Sequence, residues 1–329
     1  MRFKECLNYE KKLKHILILA TGGTIAGSGP EGNTTGYQAG VISIDEILAD
    51  IPNLKETARI SAIQISNLNS DDITFNEWKK LVDAIHEHND DPDMDGFVIT
   101  HGTDTLEETA MFLNLTLKTT KPVILTGSMK PATAISADGP LNLYDSVVVA
   151  THEDAINKGV LVVFDNAIYC ARDVKKISTF QTDAFGSGKF GAIGFIRDHK
   201  VDFYLMTTKP HTIHSDFDIT GLDRLPSVGM AYFTIDSDPS ILPYLASQHD
   251  GLVIVTAGDG QLSKHWLDAI NVLLAQEYPL ILSTRVFTGN ISAQNNANTF
   301  NPQKSRILLQ LALTKTKDQK IINRYFSTY

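Results

Sequence analysis

Aliphatic runs recur along the chain, and glycine, threonine or proline closes most of them. His15–Thr21, Arg59–Leu68, Gly96–His101, Pro122–Gly127 and Val160–Phe164 are the strand-like runs of the first two-thirds. Apolar blocks bounded by glycines predict strands buried on both faces, as in parallel sheets. Between these runs the period changes. Phe75, Trp78, Leu81, Val82 and Ile85 recur at three and four residues, which predicts a helix over 75–88 with one apolar face. Ile44–Asp50, Thr105–Leu117 and Leu141–Thr151 read as further helices, the last following Pro140. Thr105 is placed to cap its helix, and Glu107 and Glu108 fall in the first turn, where the dipole favours acids. Strands alternating with helices in this way predict an α/β fold with a mostly parallel sheet.

The periodicity fails from about Thr207 to Pro226, a polar stretch with two prolines. Beyond it, strands are expected at Val228–Ile235, Leu252–Thr256 and Leu280–Val286, with helices at Ser263–Gln276 and Pro302–Thr314. The expected organisation is a large N-terminal α/β domain over 1–206, a linker over 207–226 and a smaller C-terminal α/β domain over 227–329. No internal repeat or low-complexity tract is visible.

Composition narrows the classes of function. The chain has 329 residues, 43% hydrophobic and 20% charged, which is ample for two domains. The formal net charge is −9, and the basic clusters are short: Lys11, Lys12 and Lys14, then Lys175 and Lys176. That argues against a nucleic-acid partner, which calls for a basic stripe. Two cysteines, Cys6 and Cys170, are no disulfide framework and read as free thiols. The first residues, MRFKECLNYEKKLKH, lack the apolar core of a signal peptide, and no apolar run reaches the length of a membrane span. The expectation is a cytoplasmic protein with no membrane partner.

Candidate chemistry gathers at two strand ends. In HILILATGGTIAG (15–27) the aliphatic run stops at Ala20, and Thr21-Gly22-Gly23-Thr24 follows. In open α/β sheets ligands sit at the carboxyl ends of strands, so Thr21 and Thr24 stand where a substrate would be. GFVITHGTDT (96–105) repeats the layout, with Asp104 between the threonines. A threonine hydroxyl is a weak nucleophile until its proton is taken, and a tyrosine with a charged network behind it can take part. Tyr37 follows GSGPEGNTTG, a composition suited to a mobile lid; the same residues also read as a surface loop with an anchoring tyrosine. Thr103, Asp104 and Lys176 would make a proton relay if brought together, since a desolvated lysine can serve as a base. On composition alone, Lys176 reads first as a solvated charge beside Lys175.

Other motifs fail on spacing. Gly186-Ser187-Gly188-Lys189 resembles a phosphate loop, but Asp183 stands where its first glycine belongs and Phe190 where Ser or Thr belongs. Residues 21–27 lack the G-x-G-x-x-G spacing of a dinucleotide site. His86 and His88 are two apart, and His211 and His214 lie in the linker, so no zinc site is expected. Neither S-x-x-K nor G-x-S-x-G occurs.

Several long segments, in order, carry a resemblance. ATGGTIAG (20–27), Ser70 after a strand, DGFVITHGTDTLEET (95–109), KPVILTGSMKP (121–131), SADGPLNLYDSV (136–147), GVLVVFDNAIYCARDVKK (159–176) and NPQKSRILLQLALTKTKD (301–318) resemble the bacterial, type II-like L-asparaginase (glutaminase-asparaginase) family. The resemblance implies two α/β domains assembled as dimers of intimate dimers, and hydrolysis of a side-chain amide without metal or organic cofactor. It implies that Thr24 is the nucleophile, that Tyr37 is its partner, and that Thr103, Lys176 and Asp104 activate the nucleophile or the water. It further implies that Ser70 and Asp104 bind the substrate's α-carboxylate and α-ammonium, with Asp71 beside them. An oxyanion would be met by backbone N–H groups near Gly102 and Thr103. The implied partner is a small molecule, L-asparagine or L-glutamine, together with further copies of the chain as a dimer or tetramer.

The chain departs from the family pattern at three places. Asp71 stands where Gln or Glu is usual. TAGDGQLSKHW (256–266) lacks a clear counterpart of the asparagine that reaches a neighbouring subunit's site. GNISAQNNANTFN (289–301) is short and lacks an acid that many members supply across the interface. Two other readings compete. One is the asparaginase-like subunit of a tRNA-dependent amidotransferase, disfavoured because residues 1–14 alone precede the first strand. The other is a catalytically weak protein that binds an amino acid on this scaffold.

Overall fold

The computed structural model describes residues 12–329 apart from Pro52. Cys6, Lys11 and most of the polar N-terminal stretch lie outside the described residues. Five parallel strands form the centre: β1 (His15–Gly22), β2 (Arg59–Leu68), β3 (Gly96–Thr100), β4 (Val123–Thr126) and β5 (Val160–Phe164). The sheet continues through β6 (Ala167–Cys170). The chain then makes a separate ribbon of β7 (Lys175–Lys176) and β8 (Phe185–Gly186), and returns with β9 (Gly194–Arg197) and β10 (Lys200–Phe203). The spatial order is β2-β1-β3-β4-β5-β6-β9-β10, with antiparallel pairing from β5 onward. A second, three-stranded parallel sheet holds β11 (Val228–Tyr232), β12 (Gly251–Thr256) and β13 (Leu280–Thr284) in that order.

The apolar blocks fold this way because alternate residues feed two cores. Leu17, Leu19, Phe97, Ile99, Val123 and Leu125 face one; Ile16, Ile18, Val98 and Ile124 face the other. On the second side lie α1 (Ile44–Ala49), α2 (Leu54–Thr57) and α5 (Gly139–Thr151). On the first side lie α3 (Phe75–Asn89) and α4 (Leu106–Thr116), with Trp78 stacked on Phe112 at 4.4 Å between ring centroids. The small sheet carries α6 (Ile241–Gln248) and α7 (Lys264–Ala275) on its far face. Its other face is covered by α8 (Pro302–Leu313), which also packs on α4, and α9 (Gln319–Thr328) lies against α8. Val253, Val255 and Ile281 of the small sheet thus share one core with the large sheet. Among the described residues no helix is long and apolar enough to cross a membrane.

Several expectations need correction. Thr21 is fully buried, and its hydroxyl donates to Thr100 O at 2.9 Å, tying β1 to β3 rather than facing a substrate. Thr105 precedes α4, but its hydroxyl donates to Ser70 O at 2.6 Å instead of capping the helix. The strand expected to reach Ile235 ends at Tyr232, because Thr234–Ser237 close a turn through Ser237 Oγ. The polar stretch over 207–226 is not wholly exposed, since Phe217 and Ile219 enter the shared core.

The large sheet begins in the order 2-1-3-4-5, which reverses direction between β1 and β3. In doubly wound sheets the crevice at that reversal is the ligand site. One buried network fixes the β3 side of it. His101 is fully buried, with Nδ1 2.7 Å from Gly102 O and Nε2 2.9 Å from Thr109 Oγ1, and Trp78 Nε1 donates to that same hydroxyl at 2.8 Å. The Gly102 carbonyl can only accept, so the neutral ring carries its proton on Nδ1, and Nε2 accepts from the Thr109 hydroxyl. Burial pulls the His101 pKa down from 6.5 to about 4, partly opposed by the bond to Gly102. The unfolded chain therefore takes up a proton here below about pH 6.5 that the folded chain refuses until about pH 4. This contribution is intact above that window. It is lost as pH falls through it, by on the order of 3 kcal/mol. Urea unfolding at pH 7.5 and 4.5 should show a larger drop for the wild type than for His101→Gln. Equal drops would remove His101 from the account.

Candidate active site

Three strand ends meet through backbone contact. β1 ends at Gly22, and Gly23 turns the chain at φ 79° into a short 3-10 turn, Thr24–Ala26. A Cβ on Gly23 would stand 2.5 Å from both Cα and N of Gly102, so only glycine permits the contact. A Cβ on Gly102 would in turn meet Ser70 Cβ at 2.8 Å. Gly23 N donates to Leu68 O at 2.9 Å, which closes the group. The ends of β1, β2 and β3 thus bring Thr24, Ser70 and Thr103 to one place. Among the described residues the N–H groups of Gly102 and Thr103 have no hydrogen-bond partner.

Thr24 is 9% exposed, and its Oγ1 lies 2.8 Å from Tyr37 Oη. The segment bearing Tyr37 is closed and held. Ser28 and Gln38 exchange two backbone bonds of 3.0 and 2.9 Å, and Gly32 N and Gly29 N donate to Thr133 O and Oγ1 at 2.9 and 3.2 Å. The Tyr37 ring packs over Gly27, where a Cβ would meet Cδ2 at 2.9 Å.

Thr103 is buried, and Lys176 Nζ donates to its Oγ1 at 2.8 Å and to Asp104 Oδ1 at 2.6 Å. The three residues are therefore together, 72 and 73 positions apart in sequence. Lys176 is 17% exposed, but the Asp104 side chain is 73% exposed, so the cluster has one wet end rather than being wholly buried. Ser70 is buried; Asp71 beside it is exposed and makes no hydrogen bond among the described residues. The Thr24–Tyr37 and Thr103–Lys176 pairs do not hydrogen-bond to one another. A cavity of about 290 Å³ opens beside the second pair, lined by Asp104, Glu108, Lys176, Tyr232 and Arg285. Thr24, Tyr37 and Ser70 do not line it, so it flanks the threonines rather than facing them.

Sequence reading missed the residues behind Lys176. Glu107 accepts the Lys176 backbone N–H at 2.7 Å and Asn301 Nδ2 at 2.6 Å. Lys304 is 0% exposed, and its ammonium donates to Ala171 O at 2.7 Å, Arg172 O at 3.0 Å and Val174 O. Burial lowers its pKa to about 8, against the Glu107 and Asp173 carboxyls, which hold it up. Glu107 looked like an ordinary first-turn acid. A signal for Lys304 existed: it shares the apolar stripe with Ile307, Leu308 and Leu311, at spacings of three, four and seven. Cys170 is a buried free thiol, pushed up to about 12 chiefly by burial, and so held unreactive. Among the described residues no group of three or more His, Cys, Asp or Glu is placed to hold a metal ion.

Both halves of the chain match known families. Residues 15–209 match the asparaginase N-terminal family, and residues 227–326 match the glutaminase/asparaginase C-terminal domain. The chain is 42% identical to a probable periplasmic L-asparaginase of Haemophilus influenzae, covering 96% of this chain and 93% of that protein. It is 40% identical to a glutaminase-asparaginase of Pseudomonas fluorescens biotype A, covering 97% and 91%. It superposes on the crystal structure of a probable cytoplasmic L-asparaginase from Campylobacter jejuni with a TM-score of 0.92 at 41% identity, covering 96% of this chain and all of that one. The relatives' names thus include both compartments. Matched along both sheets and nearly end to end by full-length relatives, the chain belongs to the L-asparaginase (glutaminase-asparaginase) family of enzymes.

Proposed function

We propose that this enzyme hydrolyses L-asparagine to L-aspartate and ammonia, and L-glutamine more slowly, through an acyl-enzyme on Thr24. The observation that carries the reading is the pair of threonine hydroxyls at the β1/β3 reversal, each 2.8 Å from its own proton-handling partner, Tyr37 or Lys176. The Thr24 oxygen attacks the carboxamide carbon while its proton passes toward Tyr37. The carbonyl oxygen gains the charge, and the unpaired N–H groups of Gly102 and Thr103 are available to meet it. Collapse breaks the C–N bond, and the leaving nitrogen departs with the proton as ammonia. Water, deprotonated through Thr103, Lys176 and Asp104, then cleaves the ester and returns the hydrogen to Thr24. The sum is amide plus water giving acid plus ammonia, with side chains and water alone. Ser70, Asp71 and Asp104 would hold the substrate's α-carboxylate and α-ammonium at the rim. Support for the domain division at 207–226 comes from the large sheet ending at Phe203 and the small one starting at Val228.

A homo-oligomer fits the same reading. Met230 and Tyr232 on the edge strand β11 are exposed, as are Ile235 and Tyr244, with relative exposures from 37% to 94%. An unpaired apolar edge of this kind favours covering by a partner. Sedimentation at micromolar protein should give a dimer or tetramer; a monomer under those conditions would count against it.

Thr24→Val removes the hydroxyl at nearly constant shape. Ammonia release from L-asparagine should fall by at least about a thousandfold, the order lost when an essential group of a catalytic unit is deleted. Binding, read by calorimetry, should survive. Appreciable residual turnover would remove Thr24 from the attacking role. Absence of ammonia from the folded wild type, with ligand still bound, would favour the reading as an amino-acid-binding protein.

Asp71 keeps the charge of a longer acid but loses reach. Lengthening it as Asp71→Gln should raise kcat/KM for L-glutamine relative to L-asparagine by several-fold, an effect of about 1 kcal/mol. An unchanged ratio in paired assays would mean that position 71 does not tune selectivity.

A further inference from the structure

Lys176 has little local support. It lies on the two-residue strand β7, whose ladder is two residue pairs with β8. Its placement comes instead from two polar ties that lead to the start of α8. One runs from the Lys176 N–H to Glu107 Oε2 at 2.7 Å, and from Glu107 Oε1 to Asn301 Nδ2 at 2.6 Å. Both carboxyl oxygens accept, and Asn301 is oriented by its own Oδ1, which accepts Lys304 N at 3.0 Å as the helix cap. The other runs from the buried Lys304 ammonium to the carbonyls of Ala171, Arg172 and Val174, just upstream of Lys176. Both Glu107 carboxyl oxygens and all three of the carbonyls around Lys304 are engaged, and removing one partner leaves another unpaired.

We infer that Asn301 and Glu107, backed by Lys304, are positioning residues through which the C-terminal domain sets the main chain at Lys176, and so the reach of its ammonium to Thr103. Helix α8 is the rigid carrier, since it lies between α4 and β12. The shared apolar core already joins the domains, so domain adhesion alone does not require polar ties that end within five residues of Lys176. The inference rests on the reading that Lys176 serves the reaction at Thr103.

The polarity of the Glu107–Asn301 bond supplies the test. In Glu107→Gln the amide oxygen can keep the Lys176 N–H, but its NH2 then faces the Asn301 NH2. In Asn301→Asp two carboxylates face each other. In the double variant donor meets acceptor again, the helix cap is kept, and the charge equals that of the wild type. With L-asparagine, each single variant should lose about tenfold to a hundredfold in kcat, the scale of an ångström's misplacement, with KM within about threefold. The double variant should recover at least about tenfold over the worse single. Asn301→Ser keeps a good cap but is too short to reach Glu107; it should lose kcat with little change in Tm, and it serves if a charged variant fails to fold. Lys176→Met is the reference. If Lys176→Met is inactive while the singles match wild type, or if their losses simply add in the double, the positioning role is overturned. If Lys176→Met keeps wild-type kcat, the reading of the site itself is what fails, and the inference falls with it.

Discussion

The structure turns on a contact between two backbones. β1 and β3 are paired in parallel register from Ile16 opposite Gly96 to Ala20 opposite Thr100, and just beyond that ladder Gly23 lies against Gly102 with no room for a side chain. That contact sets how far apart the two threonine-bearing turns can be. It also keeps the Gly102 N–H clear, because a Cβ at position 23 would sit on it. The bonds around the contact serve it. Thr21 joins β1 to β3, Thr105 joins the turn after β3 to Ser70, and His101 orients the Gly102 carbonyl from behind. A site built from neighbouring ends of a rigid sheet needs little reorganisation when charge develops in it.

A different device holds the second cluster. Thr103 stands just past the end of β3, but Lys176 belongs to a short ribbon outside the large sheet, and their meeting depends on groups far away in sequence. Glu107 supplies one side, within α4; Asn301 and Lys304 supply the other, at the cap and in the first turn of α8. A buried lysine among three carbonyls adds little net stability compared with an apolar side chain of the same volume, because desolvation offsets much of the attraction. What such an arrangement supplies is direction. Three carbonyls converging on one ammonium define the path of Ala171–Val174 more narrowly than apolar packing does. The large domain therefore sets one threonine by backbone contact, and both domains together set the lysine that reaches the other.

How much was legible follows from what each element needs in order to form. β1, β3, β4 and β5 are buried on both faces, so each had to be an apolar block, whereas β2, at the sheet edge, has no buried residue and mixes polar with apolar positions, against the expectation of a doubly buried strand; α3 announced itself by its stripe. β6 to β10 are only two to four residues long and depend on pairing. Their turns use Asp165, Asn166, Asp198 and His199 at positive φ, which nothing in a hydrophobic pattern reveals. α6 carries Pro243 in its first turn, where it is tolerated although it reads as a breaker. α9 buries Ile322 and Phe326, packs Tyr325 on Phe217 and is capped by Asp318, a short and mostly polar stripe that is easily passed over. At the site, Thr24, Tyr37, Thr103 and Lys176 were visible as residue types at strand ends and through family resemblance. Glu107 and Asn301 were not, because a bond between positions 194 apart leaves no local trace.

Residues 257–261 and 289–293 of the C-terminal domain illustrate how a loop's reach is decided within its own chain. Asp259 accepts both the N–H and the hydroxyl of Ser292 at 2.6 Å, and those bonds hold its carboxyl below the usual range. Thr284 Oγ1 donates to Gly258 O at 2.7 Å, and Gly260 lies so close to Ile291 and Ala293 that a Cβ would meet them below 3 Å. Residues 257–261 and 289–293 thus clasp each other. A polar side chain occupied within its own loop is withdrawn from contacts with anything outside, and a loop drawn back on its neighbour spans less distance. On the proposed reading, selectivity rests on the rim at Ser70, Asp71 and Asp104, where the exposed Asp71 carboxyl makes no hydrogen bond among the described residues.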